Sequence, residues 1–570
     1  MEFTVSGGNA GADIRLTQRQ VDGITLVTVR LHLPAPAVPE KIVIGWQMPV
    51  VDICTRWSPL DASHELGPNW APRRTESRLA GGMPLHGLFS RAGRNRLTVA
   101  LSDAAAPTAI FSGVIEENAC LTCGVELFTI PAAPLTDYTV TLRLDGRDVP
   151  YYDALYDAAR WWETDCGYTP APVPDAARMP VNSLWYSYHQ QLQPEAILRQ
   201  CRLSRPLGLD TVIMDDGWQT LDNNRGYAYC GDWQPLRIPE MRALVDGIHA
   251  TGMKAMLWFS VPFVGIHSAR YEEFKDMFLY SVGGVLDTFV LDPRYKKVRD
   301  YLVGVYANAL REWDLDGLKL DFIDSFLLQG DALKPDPRRD YTSLEDAVNA
   351  LMLEVNDTLR AIRPDVLIEF RQSYIGPAIR QYGNMLRVGD CPNDALANWR
   401  NSISMRYTSG GTAVHSDMLM WNMQDTPEAV ATQLAGILFT VPQISVRIDE
   451  LPESHYRTLA RYLEFWRAHR AVLLDGKVWA TAPELGYALG CAEKDGEAVF
   501  VAAADPVIPG AAYRRLTAVN ITCGGTLYLT GCAGRHWRTV NCMGEVLAEG
   551  VAADAVTAVE VPLGGMVTVE

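Results

Sequence analysis

The sequence predicts a multidomain α/β protein with a central (β/α)8 TIM barrel, an N-terminal β-sandwich and a small C-terminal antiparallel β-domain. Three observations support this prediction. A chain of 570 residues is too long for one compact core. Short alternating strands occupy both ends of the chain. Between them, apolar runs alternate with helical segments, a pattern typical of parallel strands buried on both faces.

The first domain is predicted over residues 1–150. Alternating stretches such as DIRLTQ, GITLVTVRLHL, NRLTVALS and YTVTLRL are separated there by Gly, Pro, Asn and Asp, which favours an antiparallel β-sandwich. Residues 151–178 begin as a helix with an apolar stripe and end in a Pro-rich stretch, so they predict a helical linker.

The catalytic barrel is predicted over residues 179–474. The candidate strands are VNSLWYSY, TVIMDD, KAMLWFSV, TFVLD, GLKLDFID, DVLIEF, NMLRVGD and QISVRI. About eight such units in roughly 300 residues match the size of a TIM barrel. A doubly wound open sheet is the alternative, but no Gly-rich dinucleotide turn follows an early strand. Strands such as VFVAAAD and TLYLTG then predict a C-terminal β-domain over residues 475–570.

The amino-acid composition limits the kinds of molecule that the protein is expected to bind. Lys and Arg number 51 against 68 Asp and Glu, and the net charge of −17 without a basic run argues against nucleic acid or an anionic membrane. The first residues lack the pattern of a secretory signal, so we expect a soluble cytoplasmic protein. The 11 cysteines are scattered, and the CxxC at Cys120 to Cys123 lacks a second half, so we expect reduced structural thiols.

Carboxylates close most of the predicted barrel strands, at the end where TIM barrels carry their active sites. They are Asp215, Asp216, Asp292, Asp321, Asp324, Glu369, Asp390 and Asp417. One Asp after a strand is commonly a turn or cap residue, but a ring of them indicates acid/base and nucleophilic chemistry. The sequence lacks metal-ligand spacing and a GxSxG elbow, so it predicts glycoside cleavage by two carboxyl groups without metal or cofactor.

Several motifs resemble a known family. The stretches MPVNSLWYSY, VIMDDGWQ, GDWQPLRIPEMRALVDGIHATGMKAMLWF, LDPRYKKVRDYL and DGLKLDFID follow in the order seen in glycoside hydrolase family 36, the microbial α-galactosidases or melibiases of clan D. The sequence is also similar to family 27. The resemblance covers residues 179–471 and implies a retaining enzyme that removes terminal α-linked galactose, with counterparts for both flanking β-domains.

The resemblance implies the nucleophile. Lys319-Leu320-Asp321 is similar to the Lys-Trp-Asp strand end of the family, which makes Asp321 the nucleophile and places Lys319 near O3 of the sugar. Residues i and i+2 of a strand face the same way, so an ammonium at 319 would favour the ionised carboxylate. A buried ion pair that only seals the barrel is the alternative.

The acid/base is implied in the same way. The segment LRVGDCPNDALANWRNSI resembles the family's acid/base segment at Asp390, with Arg387 as a cation near O2 and Asp394 as the reserve choice. With Asp321 on strand four and Asp390 on strand six, we predict the separation of about 5 to 5.5 Å that a retaining pair shows.

The sugar pocket is implied in part. Asp215 and Asp216 match the family residues that bind O4 and O6, and Trp218 and Trp258 are expected either as an apolar platform or as packing at the barrel top. The loop after strand five departs from the family, with IEFRQSYIGP in place of Cys-x-Ser-Gly-Gly-Gly. An inward Arg371 would favour an acidic or acylated sugar, whereas a solvated or paired Arg371 would not.

Several alternatives therefore stay open at this point. α-N-acetylgalactosaminidase, β-L-arabinopyranosidase and galactosyl transglycosylase use the same mechanism, and a non-catalytic carbohydrate-binding protein is the alternative from another class. The predicted partner is a short oligosaccharide or glycoside. The aglycone and any homo-oligomeric assembly are not fixed by the sequence.

Overall fold

The N-terminal domain is a sandwich of two six-stranded sheets. The structure is a computed structural model that describes residues 1–570 except for the side chains at positions 285 and 331. The sheets have the strand orders β1-β4-β11-β10-β6-β7 and β2-β3-β12-β9-β8-β5. The strands are β1 (Thr4–Gly7), β2 (Asp13–Val21), β3 (Ile24–Ala37), β4 (Ile42–Pro49), β5 (Thr55–Trp57), β6 (Arg73–Arg78), β7 (Gly81–Gly82), β8 (Leu85–Phe89), β9 (Asn95–Leu101), β10 (Thr108–Ile115), β11 (Cys120–Leu127) and β12 (Leu135–Asp145).

The central domain is a nearly closed barrel of eight parallel strands. Their order is β22-β21-β20-β19-β15-β14-β13-β23, and bridges between His415 and Val441 and between Leu419 and Ile444 bring the two ends together. The strands of this region are β13 (Val181–Ser183), β14 (Thr211–Met214), β15 (Lys254–Ser260), β16 (Phe263–Gly265), β17 (Phe278–Val282), β18 (Thr288–Leu291), β19 (Gly317–Asp321), β20 (Leu367–Arg371), β21 (Met385–Arg387), β22 (Ala413–His415) and β23 (Gln443–Ile444).

Helices connect these strands and link the domains. They are α1 (Tyr151–Thr164), α2 (Trp185–Tyr188), α3 (Pro194–Ser204), α4 (Met241–Ala250), α5 (Arg270–Phe274), α6 (Lys296–Trp313), α7 (Leu344–Ile362), α8 (Ile379–Tyr382), α9 (Ala395–Thr408), α10 (Pro427–Gly436), α11 (Glu453–Ala468) and α12 (Arg470–Asp475). Within the described part of the chain, none of the helices combines the length and apolar character that crossing a membrane requires.

One predicted barrel strand lies elsewhere. The TFVLD run forms β18, which pairs antiparallel with β16 and β17 in a separate three-stranded sheet, and the seventh barrel strand is β22. Both are short apolar runs with buried residues, so hydrophobicity alone does not separate them. Asp292, which closes the TFVLD run, accordingly pairs with Arg294 and Arg339 instead of facing the barrel mouth.

The C-terminal domain is a β-domain with a seven-stranded sheet, β24-β25-β26-β28-β33-β30-β31, and a three-stranded sheet, β27-β29-β32. Most pairs are antiparallel as predicted, but β26 with β28 and β27 with β29 are parallel. The strands are β24 (Lys477–Ala480), β25 (Leu489–Lys494), β26 (Glu497–Ala502), β27 (Val507–Pro509), β28 (Arg515–Asn520), β29 (Thr526–Thr530), β30 (His536–Val540), β31 (Val546–Val551), β32 (Val556–Glu560) and β33 (Met566–Val569).

The barrel interior changes from apolar to polar along its axis. A buried layer near the amino ends of the strands contains Val181, Ile213, Met256, Leu367, Met385 and Ala413. Because side chains two residues apart on a strand share a face, the next inward positions are Ser183, Asp215, Trp258, Glu369, Arg387 and His415. The two-residue period of the strands therefore places polar side chains at the carboxyl ends of the barrel strands, above a layer of apolar side chains.

Two features join the domains. Helix α1 contacts all three, because Trp162 donates to the sandwich carbonyl of Leu101, while Tyr151 bonds Tyr407 of the barrel and the carbonyl of Ala480. A hairpin formed by β6 and β7 reaches the barrel mouth. There, Arg78 Nη2 donates to the carbonyl of Asp324 at 2.6 Å, and the Gly82 amide donates to the carbonyl of Ser373 at 2.9 Å.

Candidate active site

Asp321 ends the fourth barrel strand and is 6% exposed. Its Oδ1 accepts from Arg371 Nε at 2.8 Å, from the Phe322 amide at 2.8 Å and from the Tyr374 hydroxyl. Its Oδ2 accepts from Trp258 Nε1 at 3.1 Å. The two oxygens are therefore held unequally, with three donors on one and one on the other.

The surroundings of Asp321 keep it ionised. Burial acts to raise its pKa, but the charges of Arg371 and Lys319 and the hydrogen bonds from Tyr374 and Trp258 outweigh burial and hold the pKa well below its ordinary value. A carboxylate that stays charged at neutral pH is what nucleophilic attack on an anomeric carbon requires.

Lys319 and the first carboxylate of the DDGW motif form a buried pair. Lys319 Nζ lies 2.6 Å from Asp215 Oδ2, and both side chains are about as buried as Asp321. Burial lowers the pKa of Lys319, but the negative charge of Asp215 outweighs burial and holds the pKa of Lys319 above its ordinary value. The cation in direct contact with Asp321 is thus Arg371, and Lys319 acts on Asp321 through its charge.

The second carboxylate of the motif has a different environment. Asp216 accepts from Gln190 Nε2 at 2.8 Å and from Gln219 Nε2 at 2.7 Å, and burial together with the neighbouring Asp215 raises its pKa to about 6. Gly217 makes the close approach possible, since its φ is +111° and a Cβ would lie 2.5 Å from the Cα of Gln190.

The two predicted tryptophans occupy different positions. Trp218 is fully buried, donates to the carbonyl of Trp258 at 2.8 Å and packs against Phe259 and Trp313. This matches the packing alternative rather than a surface for a sugar ring. Trp258 donates to Asp321 and stacks on Tyr227, with ring centroids 5.9 Å apart.

Strands six and seven carry a second charged group. Buried Arg387 donates to Asp390 Oδ1 at 2.8 Å and also to Asp417, while its Nε lies 3.8 Å from Glu369. The Asp390 side chain is 51% exposed, so a ligand at the mouth can reach it. Burial raises its pKa, but Arg387 and the nearby cations at 319 and 371 lower it below the ordinary value overall.

Asp394, the reserve choice for acid/base, has a local role. It is the N-cap of helix α9, where its Oδ1 accepts from the Ala397 amide at 2.9 Å. N-cap carboxylates satisfy the unpaired amides of the first helical turn. The geometry therefore favours Asp390 over Asp394.

Some residues of the mouth were not assigned a role from the sequence. Tyr374, Gln190 and Gln219 lie in loops, where no strand period predicts which side chains point inward. Asp417 was recognised only as a strand-end carboxylate, and Tyr186, which donates to it, follows the first strand. The segment that departs from the family carries Tyr374 three residues after the predicted Arg371, and this departure is the signal that could have indicated Tyr374.

One group of side chains with metal-ligand spacing lies away from the mouth. Among the described residues, Asp246, His249 and Asp314 come close together beside α4, near the amino end of β19. Arg242 contacts both carboxylates, and His249 bonds Asp316. These contacts give the cluster an ordinary structural explanation.

Comparison with known sequences finds similarity to α-galactosidases and a related galactosaminidase. Residues 179–380 match the Melibiase family model. A relative named A type blood alpha-D-galactosamine galactosaminidase, from Flavonifractor plautii, is 27% identical over 135 residues, 20% of this chain and 12% of that protein. Alpha-galactosidase AgaA from Geobacillus stearothermophilus is 24% identical over 196 residues, 32% of this chain and 26% of that protein. The matched segments thus span about a quarter or less of these relatives.

Solved structures share the fold over nearly the whole chain. The family 36 α-galactosidase AgaA from Geobacillus stearothermophilus, in complex with raffinose, has a TM-score of 0.68 at 15% identity, covering 98% of this chain and 81% of that chain. The galactosidase domain of the α-galactosidase–sucrose kinase AgaSK has a TM-score of 0.69 at 13% identity, covering 100% and 85%. At these identities the likeness shows the fold.

Proposed function

Because the chain is a family 36-like protein with a melibiase domain, we propose that it is a retaining glycosidase that removes terminal α-linked galactose from short oligosaccharides or glycosides. The observation that carries this proposal is the state of Asp321. It is a buried carboxylate at the end of a barrel strand, held ionised by two cations and several hydrogen bonds.

The unequal hydrogen bonding of Asp321 supports Oδ2 as the attacking oxygen. Oδ1 is occupied by Arg371, Tyr374 and the Phe322 amide, whereas Oδ2 has only the Trp258 indole. Oδ2 therefore keeps a lone pair for the anomeric carbon. In the first step this oxygen forms a bond to C1 while the bond from C1 to the leaving oxygen breaks.

Asp390 serves as the acid/base in this scheme. It protonates the leaving oxygen in the first step, and in the second it removes a proton from the water that releases the sugar from Asp321. Its half-exposed position at the mouth supports contact with an aglycone, and Arg387 fixes its orientation at 2.8 Å.

The buried acidic pair suits a neutral polyol. We assign Asp215 and Asp216 to O4 and O6, because carboxylates accept hydrogen bonds from neighbouring hydroxyls and the family resemblance places them there. Lys319 neutralises the first of them, and with a pKa of about 6, Asp216 accepts as a carboxylate at neutral pH and donates as a protonated group in mild acid.

Arg371 bears on the choice among related substrates. Its Nε and Nη1 bind Asp321 and the carbonyl of Gln372, and its guanidinium lies 5.2 Å from the centroid of the Phe322 ring. Its charge is already balanced by Asp321, which argues against a role in binding an acidic sugar. The bulk of Arg371 and Tyr374, in the segment where the family has Cys-x-Ser-Gly-Gly-Gly, favours a C2 hydroxyl over an N-acetyl group.

The test is a panel of p-nitrophenyl glycosides: α-galactoside, α-N-acetylgalactosaminide, α-galactosaminide, α-glucoside and β-L-arabinopyranoside. We expect release from the α-galactoside, loss of turnover in Asp321→Ala, and the α-anomer of galactose as the first product by NMR. Asp292→Asn is the matched control, since Asp292 is a buried strand-end carboxylate with arginine partners outside the mouth. An active Asp321→Ala variant, or first release of the β-anomer, would refute the assignment.

A further inference from the structure

Asp417 is a carboxylate that the proposed reaction does not use. It follows β22, has no exposed surface and so cannot touch a substrate. Its Oδ1 accepts from Arg387 Nη1, and its Oδ2 accepts from the Cys391 amide at 2.7 Å and the Tyr186 hydroxyl at 3.1 Å. Its main chain is held by Asn398, which accepts from the Asp417 amide and donates to its carbonyl.

These partners surround Asp390. Arg387 places one nitrogen on Asp417 and another on Asp390, so a single guanidinium connects the two carboxylates. The Cys391 amide, which Asp417 also binds, belongs to the residue directly after Asp390. Asp417 therefore contacts both the charge partner of Asp390 and the backbone that carries it.

The charge balance around Asp390 depends on this sharing. The cations that face Asp390 are Arg387, Lys319 and Arg371, while the Asp417 carboxylate acts in the opposite sense and the Tyr186 hydroxyl, whose pKa is raised by burial and by both carboxylates, is neutral. Glu369 Oε1 lies 3.8 Å from Arg387 Nε and also balances part of the Arg387 charge. Burial and the neighbouring Asp390 raise the pKa of Asp417, while Arg387, the Cys391 amide and the Tyr186 hydroxyl act against this by binding its charged form.

We propose that Asp417 is a positioning residue that holds Arg387 and the Cys391 backbone so that Asp390 can act as the acid/base. This inference rests on the proposed function. It assigns a task to a buried carboxylate that follows strand seven, next to the group after strand six that handles the proton.

A positioning role for Asp417 predicts a change in the pH dependence of kcat/KM. Replacing Asp417 by Asn removes a negative charge that Arg387 now balances, so the guanidinium acts more strongly on Asp390. The charged form of Asp390 is then favoured, and its pKa falls further. Because the first step needs protonated Asp390, the basic limb of kcat/KM moves to lower pH.

The experiment compares leaving groups in Asp417→Asn. Hydrolysis of 2,4-dinitrophenyl α-galactoside needs little acid assistance, whereas methyl α-galactoside needs it fully. We expect a loss of about tenfold or more on the methyl substrate, which is part of the ~10²–10⁴-fold that general acid catalysis supplies. We expect a loss of less than about threefold on the activated one and a basic limb shifted to lower pH.

Controls separate positioning from folding. Asp145→Asn removes a fully buried carboxylate that binds Arg143 and Arg147 in the sandwich, and it should change stability without this leaving-group pattern. If Asp417→Asn does not fold, Asn398→Ala loosens the Asp417 backbone with its charge intact and should give the same leaving-group pattern with the basic limb in place.

Two outcomes overturn the idea, and they are distinguishable. If wild type is active, and Asp417→Asn loses equal activity on both substrates with the basic limb of kcat/KM in place, the role of Asp417 is overturned. The proposed function then still stands. A wild-type protein that hydrolyses neither substrate would overturn the proposed function, and this inference with it.

Discussion

Replacing Arg371 by Met should raise the pKa of Asp321. The two side chains are 19% and 8% exposed and approach to 2.8 Å, so solvent screens the pair only in part. Unit charges about 4 Å apart attract by ~4 kcal/mol at an effective dielectric constant of about 20. Lys319, Tyr374 and Trp258 remain to support the anion. We therefore expect a net loss of about 1.5–3 kcal/mol, or roughly one to two pKa units.

The sign of the effect follows from the depressed pKa. In wild type, the ionised Asp321 contributes stability above its unfolded pKa, and this contribution is lost as pH falls through the folded pKa. With Asp321 as the proposed nucleophile, the same titration sets the acid limb of kcat/KM, because a nucleophilic carboxylate must be charged. In Arg371→Met, both the acid limb and the loss of stability should move to higher pH.

The assay is kcat/KM for an aryl α-galactoside from acid to neutral pH, with denaturant unfolding measured over the same range. Arg371→Lys is the matched variant, since it keeps a positive charge but loses the planar guanidinium contact. It should shift the acid limb less than Met does. An acid limb and an unfolding profile that coincide with wild type in Arg371→Met would refute the reasoning.

Three further predictions follow from the site. Asp390→Asn should slow hydrolysis of poor leaving groups by ~10²–10⁴-fold and activated ones far less, and equal losses on both would contradict an acid role. In wild type, Arg387 lowers the pKa of Asp390, so kcat/KM should fall as pH rises toward neutrality, and a profile flat to about pH 8 would exclude Asp390 as the required acid. Gly217→Ala should destabilise the protein by ~1–3 kcal/mol in denaturant unfolding, because φ is +111° and the new Cβ meets Gln190, whereas an unchanged midpoint would show that the turn relaxes without cost.

The sequence predicted the barrel and the positions of its main carboxylates because both depend on local regularities. Asp215 and Asp321 close apolar runs, and a period of two residues places them on the inner face of their strands. The limits of the four predicted segments stay predictions, as do the roles of the individual residues.

What the sequence could not predict depends on contacts between distant segments. The TFVLD run of β18 and the AVH run of β22 are both short and apolar, and only their pairing partners separate them. Arg371 ends β20 two residues after the inward Glu369, whereas the contact of Tyr374 with Asp321 depends on the path of a loop that no strand period governs. Trp218 lies in the packing beneath the mouth because of neighbours from other elements.

The hairpin that reaches from the sandwich to the barrel mouth has a thermodynamic consequence. Arg78 and Gly82 bind the main chain of the two loops that follow Asp321 and carry Tyr374, at Asp324 and Ser373 respectively. Opening the sandwich would release these loops and with them the donors on Asp321. The free energy that keeps the sandwich folded is thus also part of the free energy that keeps the proposed nucleophile in place, and heat should abolish turnover and melt the sandwich in one cooperative step.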